Sequence, residues 1–279
     1  MDRHNTKLQE GAKKARRKVG KVREMRRASV GRPANGLLGK PAPDSSEGTL
    51  YYTQVKDPVP GQPVLKSGAN SAKVGGRILI GRLKGALVYT LSLEERRTCP
   101  KSCFHYRTCY GNQSPYAVRW KHGPVLEEAL EVELTGIAAK GLPFMVRLHM
   151  LGDFYSWKYL CFWAEMLDTF PYLHIFGFTA WKPGTKIGDG VGRLRAALPG
   201  RFNMRHSDTT GRWGCATINF PTERKMIGDA VVCPEQLDAN RMDPKGKHCG
   251  NCAVCWETDR AIIFVEHGAK TTYAQIAKG

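Results

Sequence analysis

"FMVRLHMLGDFYSWKYLCFWAEMLDTFPYLHIFGFTAW", residues 144–181, changes its hydrophobic period twice. "FMVRLHML" (144–151) is a short apolar run of strand length. "SWKYLCFWAEMLDTF" (156–170) opens on Ser156, a preferred helix N-cap, and spaces its apolar residues three and four apart. "LHIFGFTAW" (173–181) returns to strand composition. A strand–helix–strand order predicts two parallel strands joined by a crossover helix.

The same alternation extends outward. "GVGRLRAAL" (190–198) predicts a helix stopped by Pro199-Gly200, and "RFNMRHSD", "CATINF", "AVVC" and "AIIFVEHG" predict short strands. Upstream, "PVLEEALEVELTGIAAKG" (124–141) predicts an amphipathic helix, and "RILIGRL" with "ALVYTLSL" predicts a hairpin about Lys84-Gly85. The expected fold is α/β: a partial (β/α) barrel-like parallel sheet over residues 49–268, carrying a C-terminal cysteine region. Residues 1–48 read as a disordered basic arm and linker, and residues 269–279 as a tail.

The chain has 43 Lys and Arg against 25 Asp and Glu, a formal net charge of +18. Such an excess points to a polyanionic partner, DNA or RNA. The densest run comprises Lys13, Lys14, Arg16, Arg17, Lys18, Lys21, Arg23, Arg26 and Arg27. No apolar stretch is long enough to span a bilayer and no h-region follows the basic N-terminus, so a cytoplasmic protein without a membrane partner is expected.

Of nine cysteines in a reducing compartment, seven fall in two tight groups and read as metal ligands rather than disulfides, while Cys161 and Cys215 read as core residues. Cys99-x3-Cys103-x5-Cys109 follows a predicted strand, on the loop where barrel enzymes build their sites. Three thiolates can hold three irons of a [4Fe-4S] cluster and leave the fourth open. This arrangement is similar to that of the radical S-adenosylmethionine enzymes, although their common motif has two residues, not five, in the second gap. The open iron there implies bound S-adenosylmethionine and an electron donor such as a flavodoxin or ferredoxin. Zinc, with His105 or His122 as fourth ligand, is the alternative. Cys249-x2-Cys252-x2-Cys255 is a ferredoxin-like triplet, with Cys233-Pro234 supplying a remote fourth thiol.

Gly152-Asp153 ends a predicted strand where those enzymes contact the cofactor's amino group. Arg147 and His149 alternate along one strand, and Asn203 and Arg205 along another, so each pair is expected on one face, lining a catalytic pocket. Taken together, "LSLEERRTCPKSC", "CYGN", "VRLHMLGDFYSWKY", "RFNMRHSD" and "CPEQ" with "CGNCAVCW" resemble the phage gene product 88 family over roughly residues 80–268. The resemblance implies an iron–sulfur α/β protein, with a zinc protein binding nucleic acid through its basic arm as the alternative.

Overall fold

The computed structural model describes residues 48–107, 109–218, 228–237 and 247–265. The basic arm and the expected C-terminal tail lie outside them. In chain order the strands and helices are β1 (Val55–Lys56), β2 (Lys66–Ser67), β3 (Leu87–Ser92), β4 (Arg119–Trp120), α1 (Pro124–Ala138), β5 (Phe144–Leu151), α2 (Trp157–Thr169), β6 (Leu173–Thr179), α3 (Lys186–Ala197), β7 (Phe202–Ser207), β8 (Gly214–Ile218) and β9 (Val231–Val232). Three short helices and a strand follow: α4 (Pro234–Leu237), α5 (Cys249–Cys252), α6 (Val254–Glu257) and β10 (Ile262–Val265).

An eight-stranded sheet runs in the order β2-β3-β5-β6-β7-β8-β10-β9. Only β2 is antiparallel to its neighbour. From β3 to β7 each large strand pairs with the next, with one helix between each pair. Same-handed crossovers in such an order put every helix on the same face. One core cluster accordingly joins Leu126, Leu130 and Leu134 of α1, Tyr159, Trp163 and Leu167 of α2 and Val191 of α3 to Val146, Leu148, Ile175, Phe202 and Met204. Ser156 caps α2 by accepting from the Tyr159 N–H at 3.1 Å, as its composition predicts.

The opposite face has a different cover. Val88, Met145 and Phe176 pack there against Val74, Ile78, Leu83 and Ala86, and against Ala253 and Trp256 of the late cysteine segment. Gly177 is required in β6, because the Leu148 carbonyl oxygen lies 1.3 Å from where its Cβ would stand.

Two expectations are corrected. The turn about Lys84-Gly85 forms, with Ile78 bonded to Gly85 and Ala86 and Gly76 to Val88, but "RILIGRL" contributes one bridge, Arg77 to Leu87, rather than a full strand, and the strand paired antiparallel to β3 is β2. The Leu79 N–H instead donates to the Gly250 carbonyl, so this stretch serves the cysteine segment. Arg147 and His149 do not share a face. Pairing of β5 with β3 shifts register between Thr90, opposite Arg147, and Ser92, opposite Leu151, which resets the alternation. Arg147 lies over the Phe176 and Phe178 rings, whereas His149 packs on Phe154 and Tyr159 in the helix-side core.

Candidate functional site

The first thiol loop leaves the carboxyl end of β3 and is tied down by charged residues buried beneath it. Glu95 and Arg119 are both fully buried and form a bidentate pair, Nε to Oε2 at 2.7 Å and an Nη to Oε1 at 2.9 Å. Thr49 donates to the same carboxylate at 2.7 Å. Arg119 also donates to the carbonyls of Gly111, Ser114 and Ala117. Arg96, at φ 67° and buried, donates to the Tyr106 and Gly48 carbonyls and to the Asn112 side chain. These residues shape the loop that holds Cys99, Cys103 and Cys109. Sequence reasoning passed over them, although "EERR" immediately before the thiols was a visible signal.

The three sulfurs are electrostatic neighbours. Burial raises the Cys99 thiol, and the nearby Asp153 charge and the Cys103 and Cys109 thiolates raise it further. Cys103 is pushed up to about 11, mainly by burial, with Asp153, Cys109 and Asp208 adding to it. Burial likewise raises Cys109. Asp208, which lies just beyond β7, is paired with Lys182 at 3.1 Å. The loop therefore sits by the carboxyl ends of β5 and β7, the edge of a parallel sheet where ligands bind.

Gly152 and Asp153 connect this loop to the sheet. At Gly152 (φ 81°) a Cβ would stand 2.5 Å from Thr98 Oγ1, and that oxygen accepts the Asp153 N–H at 3.1 Å. The Asp153 carboxylate accepts from the Phe154 N–H, the Thr179 hydroxyl and the Ala180 N–H at 2.7–2.8 Å. These three donors fix the carboxylate at the sheet edge, and it is buried. Burial raises its pKa from 3.8 to about 6, against the lowering effect of the three hydrogen bonds. A raised acid pKa means the folded state holds the proton more tightly. The contribution of Asp153 to stability is therefore fullest below pH 4 and falls as pH rises from about 4 to 6. Asp153→Asn should abolish that slope, as read by denaturant unfolding across this range. An unchanged slope would refute the assignment.

The second thiol group lies on the face opposite the helices. Cys233, Cys249, Cys252 and Cys255 line one small open-sided recess, together with Trp256 and Ile262. The segment is sewn to the molecule by backbone bonds from Cys249 to Lys73 and from Gly250 to Val74. Arg205, fully buried in β7, reaches up to it. It donates to the carbonyls of Cys255 at 3.0 Å and Arg260 at 2.7 Å, to Thr258, and more weakly to Val254 and Gly214. Arg205 is thus an anchor of the cysteine segment, not a pocket lining as expected. Asn203 donates to the Ile175 carbonyl at 3.4 Å.

Burial raises Cys249, Cys252 and Cys255. In the first group Arg96 and Arg119 act on Cys109 alone, whereas each of these three sulfurs has a cation as neighbour. Arg147 and Lys73 act on Cys249, Lys247 on Cys252, and Arg205 and Arg147 on Cys255. Cys215, read from sequence as a core residue, is buried against Cys233 and Ile262. His149 is kept neutral by burial, which pushes its pKa down to about 3. Its Nε2 meets the Tyr159 hydroxyl at 3.3 Å, so it belongs to the core and not to a pocket. Among the described residues, no group of three or more His, Cys, Asp or Glu side chains is arranged to hold a metal ion. No described helix is long and apolar enough to cross a membrane.

No protein-family model matches the chain, and no solved structure matches it either. Two curated proteins are similar to part of it. The Gene 88 protein of Mycobacterium phage D29 is 27% identical over 143 residues, covering 45% of this chain and 56% of that protein. The Gene 88 protein of Mycobacterium phage L5 is 27% identical over 139 residues, covering 44% and 54%. The chain spans about half the length of the relatives it matches, and these partial similarities support the phage protein family to which the sequence motifs pointed.

Proposed function

We propose that this chain is a two-site iron–sulfur protein, with Cys233, Cys249, Cys252 and Cys255 holding a fully ligated [4Fe-4S] cluster. The observation that carries this is the shared recess, which gathers one thiol from residue 233 and three from 249–255. Four thiolates around a cluster leave net negative charge, and Arg147, Arg205 and Lys73 offset it. Among the described residues, two buried N–H donors at this site lack a partner, Trp256 Nε1 in the recess and Arg147 Nε beside its thiols. Sulfur acceptors in the recess would satisfy such donors, whereas leaving them bare costs roughly 1–3 kcal/mol each.

Cys99, Cys103 and Cys109 would hold the second, site-open cluster, in a barrel-like arrangement of the sheet. Such a cluster, when bound, supplies an electron to a sulfonium such as S-adenosylmethionine. The chain's own part is to hold the three thiols by the sheet edge, to surround them with Asp153 and Asp208, whose charge favours a cationic ligand, and to fix the loop through Glu95 and Arg119.

Anaerobically purified protein should contain iron and sulfide and absorb visible light. Cys252→Ala should remove one cluster and leave the spectrum of the other. A colourless protein with stoichiometric zinc would overturn the iron–sulfur assignment in favour of a structural zinc site.

A further inference from the structure

From Arg96 to Leu126 the chain contains no Asp or Glu. That interval is the thiol loop and its exit, and its outer surface is unusual in two respects. Phe104 is 71% exposed and Tyr116 78%. Lys101 and Arg107 flank Phe104 in the chain, both exposed, and neither pairs with a carboxylate among the described residues.

Bare aromatic rings normally bury themselves, and this loop is not loose enough to explain their exposure. Arg96 holds Tyr106 and Asn112 from below, and Arg119 holds Gly111, Ser114 and Ala117. The rings are therefore carried on a backbone whose carbonyls are fixed, so presenting them costs little further ordering. Polar Asn112, Gln113 and Ser114 lie between them. The surface is thus a pair of spaced rings with a cation on either side of Phe104 in the chain, rather than one continuous apolar patch. Protein interfaces deplete Lys at their centre. Spaced rings with unpaired cations suit a chain of flat bases joined by phosphates.

We propose that this loop is a docking surface for single-stranded nucleic acid. Bases would stack on Phe104 and Tyr116, and phosphates would meet Lys101 and Arg107. Duplex bases are already stacked on each other and offer these rings no face, so the surface discriminates strandedness. This separates it from the basic arm, whose charge attracts single and double strands alike.

Fluorescence anisotropy of the full chain, with labelled oligothymidylate, oligouridylate and a duplex of the same length, tests it. The expected result is tighter binding to the single strands, with the DNA and RNA arms telling which sugar is preferred. Phe104→Ala with Tyr116→Ala should weaken single-strand binding by roughly tenfold or more and leave duplex binding and metal content unchanged. Lys101→Ala with Arg107→Ala should flatten the salt dependence by about two counterions. Because a ring variant could misfold, photocrosslinking of a 4-thiouridine oligomer to the unaltered chain supplies an independent readout. Label is expected within residues 101–116. Label confined to residues 1–48, equal affinity for single strand and duplex, an unaffected ring variant, or no binding at all would each overturn the proposal. Loss of self-association or of a protein partner in the ring variant, without loss of oligomer binding, would do so too.

Discussion

Arg205→Met should release the late cysteine segment from the sheet and lower the free energy of unfolding by about 3–5 kcal/mol. The side chain is fully buried, and its guanidinium is shared among main-chain carbonyls of Cys255, Thr258 and Arg260 at close range. Hydrogen bonds to a charged donor are worth about 1.5–3 kcal/mol each, and the bereft carbonyls would be left facing methionine. Arg205→Lys should recover only part of the loss, since one ammonium cannot span the same carbonyls as a planar fork. Denaturant unfolding and the thiol reactivity of Cys249, Cys252 and Cys255 read both effects. Wild-type stability together with protected thiols in the Met variant would rule out the anchoring role.

A loss of similar size is expected from Glu95→Gln, because it leaves the Arg119 charge buried with half of its partner gone. Breaking one side of a buried ion pair costs about 3–5 kcal/mol. The damage should be local: Cys99, Cys103 and Cys109 should become reactive and lose any bound metal, while the second group keeps its own. The logic is geometric, since Arg119 carries the Gly111, Ser114 and Ala117 carbonyls as well as the carboxylate. Site-resolved alkylation followed by mass analysis distinguishes the two thiol groups. Equal exposure of all seven cysteines would mean that the groups are not independent.

What could be read from sequence followed the reach of local rules. The segment 144–181 announced itself because strand and helix periods are local properties, and Ser156 and Pro171 punctuate them. The helix at 186–197 was foreseen only from residue 190, since Gly188 and Gly190 in its first turns mask the period. Arg147, Asn203 and Arg205 were rightly singled out as polar groups within strands. Their destinations were not legible, because those depend on pieces of chain far away: Arg205 meets residues 254–260, and Arg147 meets rings of β6. His149 was misplaced for a subtler reason. Strict alternation assumes an unbroken ladder, and the register shift beside Thr90 breaks it. Glu95 and Arg119 were missed because a charged residue in a loop ordinarily signals exposure, whereas this pair is entirely enclosed.

The two covers of the sheet also differ in when they can be made. On the helix side, residues 87–207 bind chiefly to their chain neighbours, so a growing polypeptide leaving the ribosome can close that layer step by step. The other cover joins residues 73–79 to residues 249–256, pieces separated by most of the domain. Its later half has to wait until the late cysteines emerge, and until then the Phe176 ring that packs on Trp256 and the Arg205 guanidinium that meets residues 254–260 lack those partners. Biogenesis of the protein is therefore ordered by topology. The scaffold matures during synthesis, and the second thiol site is sealed only after the chain has brought Cys255 to the face that awaits it.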